Sequence, residues 1–344
     1  MTAEALLRAV KGEPVDREHA AHLLRAFAEG SVSTELLASF LTALSIRGES
    51  ASALLGFVEV LREHMVPIDL ADVPAMDLCG TGGDGQHTVN LSTAAAFVVA
   101  AAGVPVAKHG NHGVSSRTGS ADVLAALGIP YKLGAAQVGG MVRQLGLGFI
   151  YAPAYHPLFA KIGPVRRQLG FRTAFNLLGP LCNPARVKRQ ILGVPNPQAM
   201  YILAEVLSEL GTERALVLHT PGPYDEVSLT APALAVLVEG RERKELELAP
   251  EAFGTNTIEP SALDGSDAIG NARRIQDVFN GERGPLANAI CANAACALFV
   301  AGRVTSVRDG FELARETVER GQASRKLHEV QTHIPQEEPH VLAG

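Results

Sequence analysis

From Ala75 onward the chain alternates short apolar runs with stretches of helical periodicity, and this alternation is the strongest constraint on what it can fold into. The runs are Ala75–Cys79, Val104–Ala107, Phe149–Ala152, Gln190–Val194, Ala215–His219 and Leu234–Val238. Strands separated by helical crossovers pair in parallel, because only a long connection returns the chain to the same end of the sheet. The expectation is an α/β domain with a mostly parallel central sheet. Helices near residues 267–280, 286–301 and 306–320 close the chain, followed by a polar tail from about Gln331.

The first 65 residues read differently. Asp16, Ser33 and Ser50 each stand where a side chain can cap a helix, and the helices they start end near Gly30, Gly48 and His64. Residues 1–65 are therefore expected to form a small all-helical domain. Pro67 and Pro74 bracket a stretch with little periodicity, so residues 66–74 read as a linker and residues 75–344 as the α/β domain.

With 47% apolar and 19% charged residues, the chain can bury one large core and a smaller one. The longest apolar stretches, such as Ala94 to Val106, fall short of the roughly 20 residues a membrane span needs. No basic-then-apolar export signal opens the sequence. Cys79, Cys182, Cys291 and Cys296 have no metal-ligand spacing and read as buried thiols of a cytoplasmic protein. The net charge of −6 is unevenly spread: residues 101–190 carry eleven lysines and arginines against the single acid Asp122. Such a segment suits a polyanionic ligand, and a solvated basic face would account for it equally well.

Directly after the run Ala75–Cys79 come Gly80-Thr81-Gly82-Gly83-Asp84-Gly85, then Asn90-Leu91-Ser92-Thr93 and a helical stretch from Ala94. Glycines let backbone N–H groups approach an anion closely, and the following helix adds its free amides and dipole. The spacing is neither that of a P-loop nor that of a dinucleotide fingerprint. Asp84 beside a phosphate cradle fits ribose hydroxyls, a metal or a metal-bound water. A second loop, Lys108 to Ser120, follows the next run and carries Lys108, His109, Asn111, His112, Ser115, Ser116 and Ser120. In open α/β sheets ligands bind at this edge, so the two loops are expected to share one site. Taken alone, His109 or His112 could be an ordinary hydrogen-bonded loop histidine, and missing Cys or carboxylate partners argue against zinc.

The segments GTGGD with NLST, KHGN with SS and GSADVLAALG, and further matches through His156-Pro157, Pro164-Val165-Arg166, Arg172 to Leu181, Asn183-Pro184, Asp225-Glu226, Asn271-Ala272 and Asn293-Ala294-Ala295 resemble the anthranilate phosphoribosyltransferase family. The resemblance runs over nearly the whole chain. It implies a fold of the nucleoside phosphorylase/phosphoribosyltransferase type, with a helical segment near 155–185 joining the N-terminal helices. It implies transfer of the phosphoribosyl group of phosphoribosyl pyrophosphate (PRPP) to anthranilate, with Mg2+ as cofactor, in tryptophan biosynthesis by a homodimer.

Residue by residue, the resemblance puts Gly80, Thr81, Gly82, Gly83, Asp84, Thr88, Asn90, Ser92 and Thr93 on the phosphoribosyl donor, with Lys108, Asn111, Ser115, Ser116 and Ser120 continuing its contacts. Ser92, Asp225 and Glu226 would hold magnesium. Arg166 would pair with the anthranilate carboxylate, near His109, Asn111, His156, Gly179 and Pro180, and His109 and Arg166 are the candidate catalytic residues. Arg172 would support the same pocket. A planar guanidinium recognises a carboxylate bidentately. From the residues alone, Asp225-Glu226 could be an exposed acidic turn, and Arg166 and Arg167 surface charges. The chain departs from the family in two places. His112 stands where arginine is common, and Thr220-Pro221-Gly222-Pro223-Tyr224 replaces a Gly-rich stretch after His219.

Two other readings compete. A pyrimidine nucleoside phosphorylase would share the fold but needs a pocket that reads a base. A nucleic-acid binder would use the basic segment, but only 5% of the residues are aromatic and there is no tryptophan for stacking, so nucleic acid is not the expected partner.

Overall fold

The computed structural model describes residues 2–82, 85, 87–113, 118–222 and 224–333. The chain begins with four helices, α1 (Thr2–Lys11), α2 (Arg17–Ala28), α3 (Thr34–Arg47) and α4 (Ala51–Glu63). The side chains of Asp16, Ser33 and Ser50 accept from the amides of His19, Leu36 and Ala53 at 2.9, 3.3 and 3.2 Å, so each helix starts where its capping residue dictates. Helices α2 and α4 approach closely at Gly56, where a Cβ would fall 2.2 Å from the Arg17 carbonyl oxygen.

The rest of the chain builds a seven-stranded sheet: β1 (Met76–Gly80), α5 (Leu91–Ala101), β2 (Val106–Gly110), α6 (Ser120–Ala126), α7 (Ala135–Leu145) and β3 (Leu147–Tyr151) come first. There follow α8 (Ala152–Tyr155), α9 (Pro157–Leu169), α10 (Phe175–Leu178), β4 (Arg189–Gly193), α11 (Pro197–Glu209), β5 (Arg214–His219), β6 (Ala233–Glu239) and β7 (Glu242–Leu248). The chain then continues through α12 (Pro250–Phe253), α13 (Ala268–Phe279), α14 (Pro285–Val300), α15 (Val307–Glu319) and α16 (Gln322–Thr332). Strand order is β3-β2-β1-β4-β5-β6-β7, parallel from β3 to β5 and antiparallel at β6 and β7. The order reverses direction between β1 and β4, which opens a crevice at their C-terminal ends.

Three differences from the sequence reading have physical causes. Strand β2 starts and ends later than expected because Val106 to Gly110 pair in register with Leu147 to Tyr151, so Lys108 and His109 belong to a strand and not to a loop. Strand β7 was not expected: its first four residues are charged and exposed, a composition that hides an edge strand. Helix α16 adds an apolar stripe of Ala323, Leu327 and Val330 that extends the folded chain to Thr332.

The two faces of the sheet have different covers. Helices α5, α13, α14, α15 and α16 share one apolar core with residues such as Leu78, Val106 and Leu216. On the other face a second core runs from α2, α3 and α4 through Leu158, Ile162 and Phe175 into α11 and the strand residues Leu192, Val217 and Val236. Phe57 of α4 lies 5.3 Å from Phe175, ring to ring. Among the described residues no helix is long and apolar enough to cross a membrane.

Candidate active site

The crevice between β1 and β4 is roofed by the segment carrying Asp225 and Glu226. Thr81 donates its amide to the Gly193 carbonyl at 2.9 Å, which holds the start of the glycine loop against β4. The Asp225 carboxylate accepts from the Gly82 amide at 2.9 Å, and Glu226 accepts from the Ser92 amide in the first turn of α5 at 2.8 Å. This contact is close enough to require glycine: a Cβ on Gly80 would lie 2.2 Å from Asp225 Oδ2, and one on Gly193 would lie 1.5 Å from the Asp225 carbonyl oxygen. The segment is fixed from behind, because Thr220 and Tyr224 exchange two 3.0 Å backbone hydrogen bonds and Asn293 of α14 bonds both the amide and the carbonyl of Val227. Two carboxylates thus sit on the very amides that an anion at this loop would use.

The second loop meets the first. Lys108, only 3% exposed, donates from Nζ to the Leu78 carbonyl and lies 3.4 Å from Ser92 Oγ. Asn271 of α13 donates to Thr118 Oγ1 at 2.9 Å and to Asn90 Oδ1 at 3.2 Å, tying the ends of both loops to one helix. The turn from Asn111 is closed on itself: Ser120 Oγ donates to the Asn111 carbonyl at 3.2 Å, and Asp122 accepts from the amides of Gly113 and Gly119 at 3.0 and 2.7 Å. His112 Nδ1 bonds the same Asp122 carboxylate at 2.5 Å, and its ring packs edge-on against Tyr131 and Tyr151.

On the opposite side of β2, His109 and His156 are both buried and face each other with Nε2 to Nε2 at 3.2 Å. Burial pulls His109 down to about 3, with the His156 ring adding to the effect, and burial pulls His156 down to about 4. Both rings are therefore neutral near pH 7. The His109 ring also donates to the backbone at Gly179. The neutral pair is satisfied with His109 protonated on Nδ1 and His156 on Nε2, which leaves His156 Nδ1 a lone pair. Among the described residues that atom is buried without a hydrogen-bond partner.

The side chain of Arg166, in the last turn of α9, has no hydrogen-bond or ion-pair partner among the described residues. Burial lowers its pKa and the Arg172 charge adds to this, so the two guanidinium groups lie close together. Arg172 in turn accepts from Ser45 Oγ of α3 at its carbonyl, at 3.0 Å, and donates from Nη2 to the Gly82 carbonyl at 3.3 Å. It bridges the helical side to the glycine loop. A half-buried, unpaired cation held near a second one is a site that lacks only its anion.

Two family descriptions match the chain: "Glycosyl transferase family, a/b domain" over residues 72–324 and "Glycosyl transferase family, helical bundle domain" over residues 3–65. An anthranilate phosphoribosyltransferase of Thermomicrobium roseum is 44% identical over 331 residues, covering 95% of each chain. One of Pyrobaculum calidifontis is 44% identical over 96% of this chain and 98% of its own. The crystal structure of the Thermus thermophilus enzyme superposes with a TM-score of 0.89 at 40% identity, over 96% of this chain and 98% of that one. The chain belongs to the anthranilate phosphoribosyltransferase family.

Of the residues assigned through that family, the structure brings together Gly80, Thr81, Gly82, Asn90, Ser92, Lys108, Asn111, Ser120, Asp225 and Glu226 around the crevice. Thr93 lies in the first turn of α5, with its hydroxyl buried and without a partner among the described residues. His109, His156 and Gly179 meet on the other side of β2, and the Pro180 carbonyl is held by Gln190 Nε2 at 2.8 Å. Thr88 pairs through its backbone with Asp264 in an isolated bridge. Gly83, Asp84, Ser115 and Ser116 lie outside the described residues. The sequence reading gave no role to Asp77, Asn183 or Gln190. The signal for the first was a lone acid inside an apolar strand.

Proposed function

We propose that the chain transfers the phosphoribosyl group of PRPP to the amine of anthranilate, giving N-(5-phosphoribosyl)anthranilate and pyrophosphate, in tryptophan biosynthesis. The observation that carries this reading is the crevice itself, where loop amides, Lys108 and two carboxylates converge with an unpaired guanidinium beyond them.

Magnesium fits the donor set. Asp225, Glu226 and Ser92 offer only hard oxygen atoms, and among the described residues no larger cage of His, Cys, Asp or Glu gathers, which suits an ion that binds one or two carboxylates plus substrate phosphates. An enzyme of Saccharomyces cerevisiae with this fold, 24% identical and with a TM-score of 0.84, has been solved in complex with PRPP and Mg. When bound, the ion would offset charge on the departing pyrophosphate.

The remaining work falls to the protein. Lys108 stabilises the leaving group as its bond to ribose breaks, while the Gly82 and Ser92 amides hold the two carboxylates in place beside it. An arylamine is neutral at pH 7 and needs alignment more than deprotonation. The His156 Nδ1 lone pair accepts an N–H of the amine and turns the nitrogen towards the anomeric carbon. Arg166 pairs with the carboxylate. Arg166 stands in the last turn of the helix whose N-cap is His156, so one element carries both acceptor-side groups.

Residues 1–65 with the segment near 155–185 act as one unit, residues 66–74 as a linker and residues 75–344 as the transferase domain. The core that α2 to α4 share with α9 and α10 supports grouping the 155–185 segment with residues 1–65, and the same core continues into α11 and the sheet. Closure of the crevice would work through the Arg172 bridge. A homodimer through the helical unit would cover Leu7, Val10 and Ile46, which stand 50%, 67% and 81% exposed on α1 and α3. The buried state of all four cysteines fits a reducing cytoplasm.

The test is a fluorescence assay of the purified chain with anthranilate, PRPP and Mg2+. Consumption of anthranilate should require both other components. Phosphorolysis of thymidine or uridine in its place would favour a nucleoside phosphorylase.

A further inference from the structure

Asp77 is the only acidic residue on strands β1 to β5, and it is fully buried. Burial pushes its carboxyl pKa up, while the Lys108 charge and hydrogen bonds from Asn183 and His109 pull the other way. Its Oδ1 accepts the His109 amide at 3.0 Å, and its Oδ2 accepts Asn183 Nδ2 at 2.8 Å and Cys79 Sγ at 3.4 Å. Asn183 is fixed in turn by the Ala107 carbonyl and the Ala185 amide, both at 2.9 Å.

This cluster changes the sheet. Strands β1 and β4 pair over five positions, whereas β1 and β2 pair at Met76 and Val106 alone. Beyond that point the Asp77 carboxylate takes the His109 amide and the Lys108 ammonium takes the Leu78 carbonyl, two groups that a continuous ladder would have paired. A buried acid that interrupts a ladder costs stability unless its hydrogen bonds offset the lost hydration. The geometry set here is that of two consecutive residues. Neighbours on a strand point to opposite faces, so Lys108 reaches Ser92 on the α5 side while His109 reaches His156 on the other.

We propose that Asp77 is a positioning residue for both halves of the site, fixing through one carboxylate where the phosphate-binding Lys108 and the acceptor-side His109 project from β2. The inference rests on the reaction proposed above, in which Lys108 serves PRPP and His156, held by the His109 ring, serves anthranilate.

Steady-state kinetics of the full chain test it. Asp77→Asn keeps the shape but removes the charge and sets one amide NH2 against another at Asn183. It is expected to raise the KM of both substrates about tenfold, the scale of one charge-assisted hydrogen bond. Double-mutant cycles separate positioning from general loosening. In a Lys108→Met background Asp77→Asn should no longer raise the PRPP KM but should still raise that of anthranilate. In a His109→Ala background the pattern should reverse. Additive effects in both cycles, or unchanged KM values, would overturn the proposal. If Asp77→Asn does not fold, Asn183→Ala, which removes one donor and leaves the charge, should raise both KM values about threefold, and no change would overturn it equally. Absence of turnover in the unmodified chain would refute the reaction instead.

Discussion

Replacing Gly193 by alanine puts a methyl group where the Asp225 backbone already stands. The new Cβ would fall 1.5 Å from the carbonyl oxygen of Asp225 and 2.5 Å from its carbonyl carbon, against ordinary contacts of about 3.5 Å. Relief needs a shift of about 2 Å, the difference between those two distances. Strand β4 cannot supply it, because five registered pairs hold it to β1 and five more to β5. The Asp225 segment must move, and Asp225 then loses Gly82 while Glu226 loses Ser92. Overpacking of this kind costs about 1–3 kcal/mol of stability. A displacement of even about 1 Å at a reacting centre can cost on the order of a hundredfold in rate. We expect Gly193→Ala to fold, to melt several degrees lower, and to lose about a hundredfold in kcat/KM for PRPP with a higher Mg2+ requirement. Initial rates with PRPP and Mg2+ titrated at fixed anthranilate measure this. Gly140→Ala on α7 is the control, since nothing lies within 4 Å of its Cβ. A Gly193→Ala enzyme with unchanged PRPP kinetics and metal requirement would refute the role given to the roof of the crevice.

Arg166→Ala should raise the anthranilate KM by roughly 10- to 100-fold while leaving that of PRPP within about twofold, and Arg166→Lys should recover little because an ammonium lacks the planar fork. The reverse split, read by titrating each substrate, would move the acceptor pocket elsewhere. Asp225→Ala combined with Glu226→Ala should shift the Mg2+ titration upward by more than tenfold, on the order of one lost carboxylate contact or more. An unchanged Mg2+ midpoint would remove the pair from the metal site. Unfolded imidazoles take up protons near pH 6.5, whereas folded His156 and His109 do so only at about 4 and about 3. Between those limits the unfolded chain binds more protons, so stability should be full above about pH 6.5 and fall as pH drops towards 4. Urea melts across that range check the sign, and their His109→Gln and His156→Gln variants should show a shallower fall.

The parts of the fold legible in the sequence were those where one residue acts locally. Asp16, Ser33 and Ser50 cap helices through their own side chains, and the glycine loop announces itself because several small residues must follow a strand. Strand β7 was opaque for the opposite reason: its charged residues face solvent at the edge, and its only local mark is the Gly240 turn, with φ +58, joining it to β6. The site divides in the same way. Asp225 and Glu226 could be named, but that they rest on Gly82 and Ser92 depends on contacts across more than 130 positions of chain. Asp77 sits inside the apolar run Ala75–Cys79 with nothing local to explain it, and its partners His109 and Asn183 lie 32 and 106 positions away.

Because Lys108 and His109 are neighbours on one strand, the anchor points for the two reactants are separated by a single peptide unit, about 3.8 Å between Cα atoms. No motion of the outer helices can change that spacing. The α5 side can therefore stay committed to a sugar phosphate while Gly179, Pro180 and α9, which all lie across the strand, are free to be remodelled for a different amine. A scaffold arranged in this way can exchange its nucleophile without relearning how to hold its leaving group.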